Sequence, residues 1–258
     1  MFDSHCHLNT AIYTTPEEAI KNLYQEAKGL GIDNMILLNI PDSIFQGKDG
    51  FSNEDVINCS TKYNDFFYVF PALNPNLPKV IDQLTYYKKL GAKGIKLHPR
   101  LHNYHIEKKE CIDIVKIAGD MKLPVMICYF PDGINLKLGN TAVSIGRLAD
   151  HAPDNKIAIG HAGGHKILDH LMIIKSCKNL YLDLSFSLLY YRGSSVINDI
   201  EYSIKNIKAQ RILWGTDYPD RPYAESVKAS LSIFEKMEID SNLKNRIFND
   251  NCYDFLAY

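Results

Sequence analysis

Lys156-Ile157-Ala158-Ile159-Gly160-His161, then the amphipathic stretch from Lys166 to Cys177, then Leu180-Tyr181-Leu182-Asp183-Leu184-Ser185 is the passage that decides the fold. Two short apolar runs, one carrying the β-branched Ile157 and Ile159 and the other the aromatic Tyr181, flank a segment long enough for three helical turns, which reads as strand, crossover helix and parallel strand. The same unit recurs in both directions. Upstream, strands are predicted at Phe2 to His7, Asn34 to Ile40, Phe66 to Leu73, Gly94 to His98 and Pro124 to Phe130, and downstream at Arg211 to Gly215. Helices are predicted from Pro16 to Gly29, Asn53 to Tyr63, Pro78 to Gly91, Ile106 to Met121, Ser194 to Lys208 and Tyr223 to Met237. Proline at a first turn and glycine just past a last one mark several of these ends. Eight such strands in 258 residues predict an α/β fold, a single (β/α)8 TIM barrel, because about 250 residues is the usual length of that architecture. No low-complexity linker or shift in composition divides the chain, so residues 1–258 are expected to form one barrel domain.

Composition narrows the class. With 46% hydrophobic and 23% charged residues the chain can bury a large core beneath an ordinary globular surface. A formal net charge of −1, without any dense run of Lys or Arg, offers no attraction for a phosphate backbone and argues against nucleic acid as a partner. Six cysteines without a Cys-x-x-Cys pair read as reduced thiols, and the expected location is cytoplasmic. Met1 leads into a polar segment rather than a signal-type apolar region, and no apolar run reaches the roughly 20 residues that span a bilayer. The expected partner is a small-molecule substrate, with association into a homo-oligomer left open.

In a barrel of this kind the chemistry gathers where strands end, and the unusual polar residues fall there. His5 and His7 are two apart, so an extended strand projects both imidazoles from one face while Cys6 points the other way. Two converging imidazoles suit a divalent transition ion; the plainer alternative is a polar surface pair. Asp217, in Leu213-Trp214-Gly215-Thr216-Asp217-Tyr218-Pro219, offers a carboxylate for metal binding and for taking a proton from water, or else a turn cap. His161, before Ala162-Gly163-Gly164, is a candidate acid, base or oxyanion stabiliser. Lys96, His98 and Arg100 alternate along the fourth strand and suggest a clamp for an anion or carbonyl of the substrate. Substrate choice is expected in the loops Asn39 to Ser52, Arg100 to His105, Pro131 to Asn140 and Phe186 to Ser194.

Asp3-Ser4-His5-Cys6-His7, Gly94-Ile95-Lys96-Leu97-His98-Pro99, Gly160-His161-Ala162-Gly163-Gly164, Gly215-Thr216-Asp217-Tyr218-Pro219 and Asn249-Asp250-Asn251-Cys252, in this order, resemble the amidohydrolase superfamily. The likeness is to its amidohydrolase-related (amidohydrolase 2) branch, which includes lactonases and nonoxidative decarboxylases. It implies that His5 and His7 bind a divalent ion, usually zinc with manganese or iron as alternatives. It further implies that Asp217 ligates that ion or activates water and that His161 faces the substrate. The pattern departs at the fifth strand, where relatives commonly end in a metal-binding His and this chain has Cys128. A thiolate binds zinc at about 2.3 Å, so Cys128 is either a substitute ligand or a buried, inert thiol.

The reading that follows is a metal-dependent hydrolase in which a metal-activated water attacks a lactone, amide or ester of a small carboxylated metabolite. Its alternatives are metal-dependent decarboxylation at the same centre and a catalytically silent, metal-free binding barrel. A further resemblance, of Phe2-Asp3-Ser4-His5-Cys6-His7-Leu8 to the opening of TatD-type deoxyribonucleases, ranks lower. That branch wants a metal-bridging Glu where this chain has Lys96 and His98, although a carboxylated Lys96 would offer another bridge.

Overall fold

The computed structural model describes residues 1–41 and 50–257, so part of the expected specificity loop from Asn39 to Ser52 lies outside the described residues. Eight strands, β1 (Phe2–Cys6), β2 (Asn34–Asn39), β3 (Phe67–Leu73), β4 (Ile95–Leu97), β5 (Val125–Ile127), β6 (Ile157–Ile159), β7 (Leu180–Asp183) and β8 (Ile212–Leu213), pair in chain order. Every pair is parallel. The last strand returns to the first through its carboxyl-side extension. Ser4 N donates to Trp214 O, His7 N to Tyr218 O and Asp217 N to His5 O, each at 2.8 Å. Glycine is required at this seam: a Cβ on Gly215 would fall 2.6 Å from His5 Cβ and 2.7 Å from His5 N. The fold is a (β/α)8 barrel, as the alternation predicts.

Around the strands lie α1 (Pro16–Gly29), α2 (Asn53–Ser60), α3 (Val80–Leu90), α4 (Pro99–His102), α5 (Lys109–Asp120), α6 (Ile134–Lys137) and α7 (Ala142–His151). They continue with α8 (Ile167–Ser176), α9 (Ser187–Tyr190), α10 (Val196–Asn206), α11 (Tyr223–Lys236), α12 (Ser241–Asn245) and α13 (Asn251–Leu256). The start of α1 is encoded locally. Thr15 Oγ1 accepts from Glu18 N, Pro16 occupies the first turn, and Glu17 and Glu18 complement the positive end of the helix dipole. Its buried face of Ala19, Ile20, Leu23 and Ala27 has the spacing of a stripe laid against a sheet.

Besides the single-turn helices α4, α6 and α9, two stretches were not anticipated from the sequence. α7 follows the polar loop from Pro131 to Asn140 and opens with a reciprocal cap between Thr141 and Ser144. Its short apolar stripe is interrupted by Gly146, where a Cβ would stand 3.1 Å from Ile173 Cγ2 of α8, so the glycine serves close helix packing. The other is the carboxyl-terminal run through α12 and α13.

The core has two layers. Along β2, Met35 and Leu37 pack outward against the helices, while Ile36 and Leu38 turn into the barrel. Inside lie Phe2, Phe70, Met126, Ala158, Tyr181 and Leu213, joined by Cys252 and Phe255 of α13. The Phe255 ring lies 5.0 Å from that of Tyr181 and 6.3 Å from that of Phe70. Because Tyr181 and Phe2 sit near strand starts, α13 covers the floor of the barrel and leaves the mouth for chemistry.

His170 of α8 is 1% exposed, and its Nδ1 faces Lys166 O at 3.0 Å. Burial pushes its imidazole pKa down from 6.5 to about 4. The unfolded chain therefore takes up a proton near pH 6.5 that the folded chain resists until about pH 4. Stability contributed by the neutral ring is complete above that window and is lost as pH falls through it. We expect the stability difference between the protein and His170→Leu to change by up to about 3 kcal/mol between pH 6.5 and 4, read from urea denaturation; a pH-independent difference would refute it.

Candidate metal centre

The carboxyl ends of β1, β4, β6, β7 and β8 bring their polar residues together. His5 Nδ1 meets Asp183 Oδ2 at 2.6 Å, and His7 Nδ1 meets Leu38 O at 2.7 Å. A carboxylate and a carbonyl can only accept, so both Nδ1 atoms carry hydrogen and both Nε2 atoms present lone pairs. Those lone pairs converge on one oxygen: Asp217 Oδ1 lies 3.3 Å from His5 Nε2 and 3.5 Å from His7 Nε2. His161 Nδ1 stands 3.8 Å from Asp217 Oδ2. His5, His161 and Asp217 are all buried and offer ligand atoms within 4.8 Å of one another.

The backbone is bent to make this convergence. His161, Phe186 and Asp217 sit at φ +55°, +62° and +57°, left-handed values that cost a residue with a side chain of order 1–3 kcal/mol each. Each falls in the loop after a strand, the place where the chain must turn a side chain back over the mouth.

Charge is tightly balanced. Burial would raise the Asp217 carboxyl, but the neighbouring imidazoles, that of His161 first, outweigh it and hold the group well below the usual carboxylate range. Burial, then the Lys96 ammonium, holds His5 well below the ordinary imidazole value. His161 moves upward: burial opposes protonation, and Asp217 and Cys128 overcome it. Lys96 is pulled down, chiefly by burial.

Other sequence-predicted residues take distinct positions. Lys96 Nζ donates to His5 Nε2 at 3.2 Å, so its cation turns into the cluster. Cys128 is buried between His98 and His161; burial raises its thiol pKa, and those two imidazoles more than reverse the effect. Arg100 donates from Nη1 to Asp132 Oδ2 at 2.6 Å, with its guanidinium over the Phe130 ring at 4.8 Å. Lys96 and Arg100 thus both have partners within the protein.

Sequence reasoning missed the residues beneath the cluster. Asp183 accepts from His5 Nδ1, from Ser4 Oγ at 3.1 Å, and from Ser185 through its N at 3.1 Å and its Oγ at 2.5 Å. Asp3 accepts from His5 N at 3.1 Å, Thr216 N at 3.0 Å, Thr216 Oγ1 at 2.7 Å and Tyr223 OH at 3.0 Å. Burial pushes the Asp3 carboxyl up to about 7 against those donors. The available signal was a lone acidic residue in the otherwise apolar β7 and another beside the His-x-His pair in β1.

This donor set fits a divalent ion. Imidazole nitrogens and a carboxylate are suitable ligands, and tying the far ring nitrogen to a carboxylate or carbonyl is the arrangement that orients metal-bound histidines. The Lys96 ammonium is opposed to a cation there.

Solved structures share the whole architecture. An uncharacterized TIM-barrel protein from Bordetella bronchiseptica is similar at 18% identity and TM-score 0.81, covering 99% of this chain and 98% of the other. A probable 2-pyrone-4,6-dicarboxylic acid hydrolase from Acinetobacter baumannii, with citric acid bound, is similar at 16% identity and TM-score 0.72, over 100% and 99%. A dihydroxybenzoic acid decarboxylase from Polaromonas, with manganese and 2-nitroresorcinol bound, is similar at 17% identity and TM-score 0.66, over 99% and 96%. Among curated protein sequences, none matches this chain. No helix of the described residues is long and apolar enough to cross a membrane. The amidohydrolase family model of the resemblance noted above matches residues 2–257, and the chain belongs to that family.

Proposed function

We propose that the protein is a metal-dependent hydrolase of a small carboxylated metabolite, a lactone, amide or ester. The observation that carries this reading is the convergence of two Nε2 lone pairs, each fixed by a partner on its Nδ1, upon one oxygen of Asp217. His5, His7 and Asp217 would hold one divalent ion, with zinc the first expectation and manganese or iron the alternatives. His161 and Cys128 are the further donors within reach of the cluster. When bound, the ion supplies Lewis acidity and lowers the pKa of water toward 7.

The chain's own groups have separate tasks. Asp217, kept ionised by the surrounding imidazoles, takes the proton of the attacking water on a carboxylate oxygen. His161, raised toward its protonated form, donates to the carbonyl oxygen as negative charge develops there. The near-complete burial of both strengthens each interaction by excluding bulk water. Lys96, His98 and Arg100 are the proposed contacts for the substrate carboxylate, with Arg100 exchanging its Asp132 partner as the substrate arrives.

Metal analysis of protein purified without chelator, followed by a screen of lactones and carboxylated aromatics in ¹⁸O-water, tests the proposal. One labelled oxygen in the product, lost on chelation and restored by zinc or manganese, supports it. Carbon dioxide release without label overturns it in favour of decarboxylation; failure to take up metal with no turnover favours a silent binding barrel.

Lys96 provides an independent check. Two unit charges of one sign 4 Å apart repel by about 4 kcal/mol at an effective dielectric constant of 20. Removing the ammonium in Lys96→Met should therefore tighten zinc binding at least about tenfold in a competition titration. Weaker binding would show instead that Lys96 supports the ion, as a carboxylated lysine would.

A further inference from the structure

Between the loops that follow β5 and β6 lies a cavity of about 110 Å³. His5, Lys96, Arg100, His161 and Asp217 are not among its lining residues, and Phe130 is the wall it shares with the candidate centre. One face of that ring stacks against Arg100, and its edge meets the His161 ring at 5.4 Å. The walls are mainly apolar, from Phe130, Pro131, Leu136 and Ala142. Lys166 and Asp169 also border the cavity, as an ion pair at 3.9 Å that is well exposed at its outer rim.

Among the described residues, two polar groups in this lining are buried and lack partners. His170 Nε2 and Asn135 Nδ2 have no hydrogen bond, and their residues are 1% and 2% exposed. His170 Nδ1 gives its hydrogen to Lys166 O, so Nε2 is a bare acceptor; Asn135 Nδ2 is a donor. A buried polar atom without a partner costs about 1–3 kcal/mol. The site is also specifically built to hold the imidazole: a Cβ on Gly163, at φ +69°, would lie 2.3 Å from His170 Nδ1. Only glycine there admits the ring.

We propose that this cavity is a second binding site, for a small uncharged phenol or aromatic alcohol that donates its hydroxyl to His170 Nε2, accepts from Asn135 Nδ2 and lays its ring against Phe130. The chemistry follows from the lining. Mainly apolar walls suit a ring, an ion would lose its hydration without a buried counter-charge, and an unpartnered acceptor and an unpartnered donor in the same lining suit a hydroxyl. The proposal does not depend on the reaction at the metal centre.

Phenol and toluene, alike in size, are the probes, titrated by calorimetry or saturation-transfer NMR. The expected result is saturable binding with phenol about tenfold tighter than toluene, the value of one hydrogen bond to an otherwise orphaned acceptor. In His170→Leu the ratio should fall to about one. Leu136→Trp changes a half-exposed rim residue, so it leaves the fold intact and should weaken both probes; it decides the matter if His170→Leu does not fold. Absence of saturable phenol binding, equal affinity for both probes, a preference that survives His170→Leu, or unchanged binding in Leu136→Trp would each overturn the proposal.

Discussion

Asp217→Asn is expected to leave the barrel folded while lowering kcat by about 10²–10⁴-fold, the usual effect of losing a positioned general base. Folding should persist because the seam bond from Asp217 N to His5 O is a backbone bond and because Asn tolerates the left-handed φ of +57° better than most residues. Two effects combine in the loss. The amide cannot take a proton from water, and the two Nε2 lone pairs no longer converge on an anion, so metal affinity should fall as well. Circular dichroism, a zinc titration and turnover on a substrate from the screen separate these effects. Unchanged turnover would remove Asp217 from the mechanism.

The largest stability loss is expected at Asp183. Replacing it by Ala strips His5 Nδ1, Ser4 Oγ and both Ser185 donors of one acceptor at a position that is wholly buried. Removing one member of a buried charge-assisted network costs about 3–5 kcal/mol, measurable as a shift in the urea midpoint at constant slope. Asp183→Asn retains one acceptor and should lose less. A loss below about 1 kcal/mol in Asp183→Ala would mean that the network contributes no more than an ordinary hydrogen bond. The same variant frees the His5 ring to rotate, so its zinc affinity should drop even where the protein remains folded.

How far the site could be read in advance depended on the kind of information each residue carries. Strand order and the positions of His5, His7, His161 and Asp217 at strand ends follow from alternation and parity, which are local properties. The structure brings these four to one mouth. Parity also places Lys96 on the inner face, but which group its ammonium meets depends on the stagger between β1 and β4, and the sequence carries no local sign of that. Asp183 was read as part of a strand because its meaning lies in His5, far away in the chain. The run beyond Met237 was left unassigned for a similar reason: α12 is short, and α13 gains its purpose only when Phe255 meets Phe70 and Tyr181 on the barrel floor. Helix α7 was the more legible omission, since Thr141 and Ser144 form an encoded cap and Ile145, Leu148 and Ala149 recur at helical spacing.

The join between Gly215 and His5 also bears on the order in which the protein becomes competent during synthesis. His5 and His7 precede Asp217 by roughly two hundred residues, so a nascent chain holds unfinished chemistry until that aspartate has emerged. Contacts this distant in sequence are the slow ones to form. A partly made chain is thereby spared premature cation capture at this triangle.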